Sequence, residues 1–209
     1  MKNVLKLNNL LFLLTFSFFI ISCDNDDNGT LPAPEELTIV ETAAATPELS
    51  ILVDALTAAD GDLLTTLSGG NFTVLAPTND AFVAFLSANG FASLDEVPTD
   101  VLSNILLNHV ITGSVMSTDL ASAGSGYTTT SATNMDGDNL SLYFTTSSGV
   151  EFNGLSTVVL ADIPASNGIV HVVDAVIGLP TVITFATSNP LFETLVAALT
   201  RDDLSEDLV

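Results

Sequence analysis

Residues 23–36 read CDNDDNGTLPAPEE, and from Asp24 this run fits the calcium-loop pattern D-x-[DN]-x-[DN]-G-x5-E. Asp24, Asp26 and Asn28 fall on ligand positions, Gly29 on the turn and Glu35 on the closing carboxylate. A second set of reactive groups is the pair of histidines, His109 and His171, which with many Ser and Asp residues allows a Ser-His-Asp triad on paper. No G-x-S-x-G elbow, H-E-x-x-H motif, Walker loop or G-x-G-x-x-G run accompanies them. The 25 carboxylates supply many pairs for glycoside hydrolysis, yet the chain has no Trp and only two Tyr, Tyr127 and Tyr143, to build a sugar-cleaving cleft. A hydrolase would have to work through His109 or His171, and the residues point away from it. Cys23 is the only cysteine, so neither a disulfide framework nor a thiolate zinc site is available.

What flanks the acidic run decides how to read it. Lys2 and Lys6 precede a twelve-residue apolar run, residues 10–21, and Ser22-Cys23 follows at once. That run is shorter than the roughly 20 residues a membrane-spanning helix needs, so residues 1–22 read as a secretory signal. The boundary Ile20-Ile21-Ser22-Cys23 resembles a bacterial lipobox, which implies cleavage before Cys23 and acyl chains on its sulfur. Such chains anchor a protein stably, at about 0.8 kcal/mol per buried CH2. Pro32 and Pro34 fall inside the calcium pattern, where they remove backbone donors and stiffen the chain that would wrap an ion. Residues 23–36 are therefore expected to form an acidic tether that lifts a domain off the membrane. No metal or other cofactor is expected. Acidic residues directly after the lipidated cysteine also resemble the export signals of outer-membrane lipoproteins, placing the chain at the cell envelope with its domain on the outer surface.

Charge narrows the partners. Beyond the signal the one basic residue is Arg201, and the whole chain carries a net charge of −22. Nucleic acid is excluded, because binding to phosphate rests on Lys and Arg, and an anionic membrane surface would repel everything but the lipid. The expected partners are an extracellular protein or polysaccharide, with weak self-association besides.

The elements that would position these residues follow from pattern. Thr38–Ala45 and Leu49–Ala58 read as short helices divided by Pro47, the second with Leu49, Leu52, Val53 and Leu56 on one stripe. Residues 71–77 read as a strand ending on Pro77. Residues 78–90 read as a helix with a Thr/Asn/Asp start and a Gly90 stop, burying Ala81, Phe82, Phe85 and Leu86. Residues 98–110 read as a further helix, capped near Thr99 or Asp100. From His109 onward the texture is β-branched and alternating between Gly, Asn and Asp turns, which predicts strands. Helices early and strands late make an α+β domain, with helices packed on a mostly antiparallel sheet or sandwich. On the last strand Ile169, His171 and Val173 share one face and Val170, Val172 and Asp174 the other. Burial against backbone partners is expected for His171. His109, following Leu102 and Leu106 on one helix face, is expected to be buried at a helix end where a cationic imidazole suits the dipole.

An internal repeat sets the boundaries. Residues 38–57 align without gaps on residues 181–200, with eight of twenty positions identical, among them Thr38/Thr181, Pro47/Pro190, Leu52/Leu195 and Leu56/Leu199. A period of 143 residues marks whole domains rather than a solenoid. The expected organisation is a domain over 37–180 and the start of a second, truncated copy over 181–209.

Thr73-Val74-Leu75-Ala76-Pro77-Thr78-Asn79-Asp80-Ala81-Phe82 resembles the first signature block of fasciclin domains, and Asn167-Gly168-Ile169-Val170-His171-Val172-Val173-Asp174 resembles the second. Leu106-Leu107-Asn108-His109-Val110 stands where that family carries a Tyr-His pair, with Asn108 in place of the tyrosine. The resemblance covers residues 37–180. It implies a fasciclin-like β-wedge with helices, at the cell surface, used for adhesion and for binding matrix proteins or glycans without catalysis. It also implies a contact role for Asn108 and His109 and a structural one for Thr73, Pro77, Thr78, Asn79, Phe82, Gly168, His171 and Asp174. A lipid-anchored adhesion module is the first expectation. A glycan-binding accessory component of a surface nutrient-uptake system is the alternative.

Overall fold

Thr38 closes a capping box with Glu41 and so starts the first helix. The structure, a computed structural model, describes residues 36–59 and 63–199. Cys23, the signal, the tether through Glu35 with Asp24, Asp26 and Asn28, residues 60–62 and residues 200–209 lie outside the described residues. The chain runs α1 Ile39–Ala44, α2 Ser50–Ala58, α3 Leu63–Ser68, β1 Phe72–Pro77, α4 Asn79–Ala88, α5 Thr99–Leu107, β2 Val110–Thr112 and α6 Ser117–Ala123. It continues with β3 Ser125–Thr133, β4 Asn139–Thr145, β5 Glu151–Phe152, β6 Ser156–Ala165, β7 Gly168–Val173, α7 Val182–Ser188 and α8 Glu193–Leu199. Pro47–Leu49 and Pro190–Phe192 are 3-10 turns leading into α2 and α8.

The expected wedge or sandwich is instead a closed barrel, in the order β1-β2-β3-β4-β5-β6-β7. Consecutive strands pair antiparallel, and β1 pairs with β7 in parallel from Phe72↔Gly168 to Pro77↔Val173. The physical reason lies in these two strands. Thr73 to Pro77 and Ile169 to Val173 are buried on both faces, so neither strand is suited to a solvated sheet edge.

Alternation along the pair sorts the core into two layers. Val74, Ala76, Val170 and Val172 join Ile39, Leu52, Leu56, Phe82, Leu102 and Leu106 beneath the helices. Leu75 and Val173 point the other way and join Leu142, Phe144, Phe152 and Ile177. At the turn between β6 and β7, Gly168 has φ +147°, and a Cβ there would stand 1.8 Å from the Phe72 carbonyl oxygen. Only glycine allows the two strands to start this close.

Pro98, rather than Thr99 or Asp100, takes the cap position of α5, and no side chain caps that helix. The helices α3 and α6 fall in stretches with no helix expected. The tail repeats the opening geometry: Thr181 caps α7 as Thr38 caps α1, and Pro190–Phe192 precedes α8 as Pro47–Leu49 precedes α2. Burial is not repeated. Ile39, Leu49 and Leu52 are 2%, 0% and 3% exposed, whereas their counterparts Val182, Phe192 and Leu195 are 85%, 39% and 48% exposed.

Candidate functional site

Asn108 and His109 follow directly on α5, and both side chains turn into the molecule. Asn108 is fully buried. Its amide Nδ2 donates to the carbonyls of Ile177 (3.3 Å) and Gly178 (3.0 Å), and its Oδ1 accepts from the Thr130 hydroxyl (3.0 Å). His109 is 2% exposed; its Nδ1–H donates to the Ile105 carbonyl (2.8 Å), and its Nε2 accepts from the Ile177 amide (2.9 Å). One acceptor and one donor nitrogen define the neutral imidazole. Burial drives the His109 pKa down to about 4 against the weaker upward pull of the Ile105 carbonyl. The expected cationic imidazole is therefore overturned: loss of hydration outweighs the half-charge of a helix end. Together the two side chains latch the end of α5 to β3 and to residues 177–178. A partner approaching the folded domain meets neither of them.

His171 is also enclosed, 1% exposed on β7. Its Nδ1 accepts from the Asp162 amide (3.1 Å), and its Nε2–H donates to the Val115 carbonyl (2.9 Å). The Asp162 carboxylate lies 4.0 Å from Nδ1 and accepts from the amide and hydroxyl of Ser117 at the start of α6. Burial pushes that carboxyl upward, but the two Ser117 bonds hold it below the usual carboxylate range. This set carries the reading of a buried, backbone-bonded histidine. The part played by Ser117, Val115 and Asp162 had no sequence signal, because Val115 and Ser117 come from the loop before α6 and its first residue, more than fifty positions away, and Asp162 from an irregular stretch of β6.

The remaining block residues join elements. Thr73 donates its hydroxyl to the Gly113 carbonyl (2.7 Å) and accepts from the Val115 amide (2.8 Å). Pro77 ends β1, Thr78 caps α4 by accepting from the Ala81 amide, and Phe82 is buried at 1% exposure. Asn79 donates to the Pro47 carbonyl (3.0 Å) and accepts from the Ile51 amide (2.9 Å), which sews the corner before α4 to the turn before α2. Asp174 accepts from the Thr157 amide (2.6 Å), binding the end of β7 to β6. Asn167 accepts from the Ile39 amide (2.8 Å) and donates to the Leu67 carbonyl, joining α1, α3 and the β6–β7 turn.

The outer surface offers more to a partner. Val159 and Leu160 on β6, Val83 on α4, and Val182, Ile183 and Leu191 in the tail are large apolar side chains over half exposed. Between α7 and α8 runs a groove of about 570 Å³ bordered by Ser188, Pro190, Glu193 and Val196. The equivalent turn of the first copy, at Pro47 and Ile51, is where Asn79 is seated. The tail touches the barrel through the Ser188 hydroxyl on the Asn153 carbonyl (2.6 Å) and the Asn189 amide on the Tyr127 hydroxyl (2.9 Å). Asn153, held at φ +51°, keeps a buried amide nitrogen without a partner.

Comparison with known proteins agrees with this arrangement. The fasciclin domain family model matches residues 47–180. Protein sll1483 of Synechocystis is 38% identical over 142 residues, covering 68% of this chain and 73% of that protein. The uncharacterized protein sll1735 of Synechocystis is 35% identical over 140 residues, covering 66% of this chain and 96% of that one. The cell surface glycolipoprotein MPB83 of Mycobacterium bovis is 38% identical over 90 residues, which is 41% of this chain and 39% of its own length. A FAS1 domain pair from the insect cell adhesion molecule fasciclin I superposes with a TM-score of 0.53 at 20% identity, over 77% of this chain and 56% of that one. The last likeness is one of fold.

Proposed function

This chain belongs to the fasciclin domain family, and on that premise we propose that it is a non-catalytic adhesion module, lipid-anchored through Cys23 at the cell envelope. The observation that carries this reading is how the polar groups of the family blocks are used. His109, His171 and Asn108 each commit their side-chain nitrogens to bonds inside the fold, and neither ring keeps a free nitrogen for proton transfer at a surface cleft. Recognition then falls to the outer surface, where apolar side chains on β6, α4 and the tail stand open. Partners are extracellular protein or polysaccharide, held by weak contacts that many anchored copies multiply. A relative named as a cell surface glycolipoprotein supports the location. Residues 181–209 are read as the opening of a second repeat, supported by the shared caps, turns and helices of the two segments.

Deletion and complementation in the native cell test the reading. Loss of the chain is expected to lower cell attachment, the intact gene to restore it, and Cys23→Ala to leave the protein in the soluble fraction and attachment unrestored. Equal attachment with and without the chain would overturn the adhesive role. Restoration by Cys23→Ala would overturn the anchor.

A further inference from the structure

The fold brings the chain's two tyrosines together, although 16 positions separate them. Tyr127 on β3 stands directly opposite Tyr143 on β4, with ring centroids 5.2 Å apart, and Phe185 of α7 meets Tyr127 edge-on at 5.8 Å. The Asn189 amide donates to the Tyr127 hydroxyl (2.9 Å). Asn189 is itself 6% exposed, and its Oδ1 accepts from the Leu191 amide (3.0 Å). Tyr127 is thus gripped at its hydroxyl and along its edge while half of it stays open to solvent.

A cleft of about 400 Å³ opens over that ring, between the ends of β3 and β4 and residues 189–191. Ser125, Thr145 and Ser147 line it with hydroxyls, Pro190 and Leu191 with apolar surface, and none of its lining residues is charged. In a chain of net charge −22 an uncharged recess is selective by its chemistry. A polyanion would meet repulsion with no cation in the lining to offset it. An apolar peptide would cover the Ser125 hydroxyl and the Thr145–Ser147 hydroxyl pair (3.4 Å) without offering either a hydrogen bond, at a cost in desolvation. A ligand with an apolar ring face and hydroxyls on its edge matches both halves of the lining, and a tyrosine is itself amphipathic in that way.

We propose that this cleft binds a neutral saccharide, one sugar ring stacking on Tyr127 while Ser125, Thr145 and Ser147 hydrogen-bond its hydroxyls. The ring is fixed by Asn189 and Phe185 before any ligand arrives, so little side-chain freedom is lost on binding. The site lies where the barrel meets the helices after it, the kind of junction where ligand clefts gather. It rests on the polysaccharide partner proposed above and adds the site and the neutral class, while the adhesive role itself is read separately, from cell attachment.

The chain contains no Trp and no tyrosine outside this pair, so tyrosine emission of the full chain reports on the cleft. Titration with neutral gluco-, manno- and galacto-oligosaccharides, beside an oligouronate, is expected to give a saturable change with at least one neutral sugar and none with the uronate. In retention on the matching polysaccharide, Tyr127→Ala is expected to weaken binding about tenfold and Tyr127→Phe to stay within about threefold, as loss of a stacked ring against loss of one hydrogen bond implies. Ser125→Ala with Thr145→Val, on the open rim, is a second weakening pair. Melting curves confirm that each variant is folded. No saturable response to any neutral sugar, binding confined to the uronate, or unchanged retention in folded Tyr127→Ala would overturn the proposal.

Discussion

Lowering the pH should unlatch His109 from the inside. Its imidazole is fully enclosed, and burial holds its pKa near 4, against about 6.5 in an unfolded chain. Between those values the unfolded chain binds a proton that the folded chain refuses, so stability rises with pH across this window. The contribution is complete above pH 6.5 and is lost as pH falls towards 4. Taken over the full span, 2.5 units at 1.36 kcal/mol each, the loss is about 3 kcal/mol; between pH 7 and 4.5 it is about 2.5 kcal/mol. Set against the 5–15 kcal/mol of an ordinary domain, that is a large fraction. Protonation of the many carboxylates also changes stability in this range, so the measurement is a difference. Urea unfolding of wild type and His109→Gln at pH 7 and 4.5 should show wild type losing about 2.5 kcal/mol more than the variant. In parallel, the His109 ring protons should not shift in NMR spectra between pH 8 and 5. Titration of that ring near pH 6.5 in the folded protein, or the same pH slope in both chains, would mean that the folded ring takes up a proton as readily as the unfolded one.

Other expectations follow from single contacts. Gly168→Ala drives a methyl into the Phe72 carbonyl and should cost about 3 kcal/mol or more, read as a lowered urea midpoint; an unchanged midpoint would mean the β1–β7 approach is looser than described. Asn79→Ala removes the bonds to Pro47 and Ile51 and should cost about 1–3 kcal/mol by the same assay. With a net charge of −22 the melting temperature should rise with NaCl in scanning calorimetry, and a flat response would remove self-repulsion as a factor.

Local signals were legible and distant ones were not. Pro77 and Thr78 mark the strand-to-helix corner because proline ends a strand and threonine caps a helix within a few residues. The stripe on α2 reads because it spans enough turns to show its period. The helices α3 and α6, with six and seven residues rich in Thr and Ser, are too short to show one. Closure of the barrel depends on β1 pairing with β7 across nearly a hundred residues, which no local pattern encodes. Separations of 68 to 70 positions likewise hide the bonds of Asn108 and His109 to residues 177–178, and with them the neutral state of His109. Tyr127 and Tyr143 look like a poor aromatic supply when counted; opposed across two strands, they make a cleft wall.

On the adhesive function proposed above, Asn108 and His109 hold the fold while the exterior does the binding. Retention of beads coated with wild-type or His109→Gln protein on the native attachment surface, at pH 7 and normalised to folded molecules by melting curve, tests it directly. Equal retention per folded molecule is the predicted result. A folded variant that no longer holds would mean that His109 takes part in the binding itself.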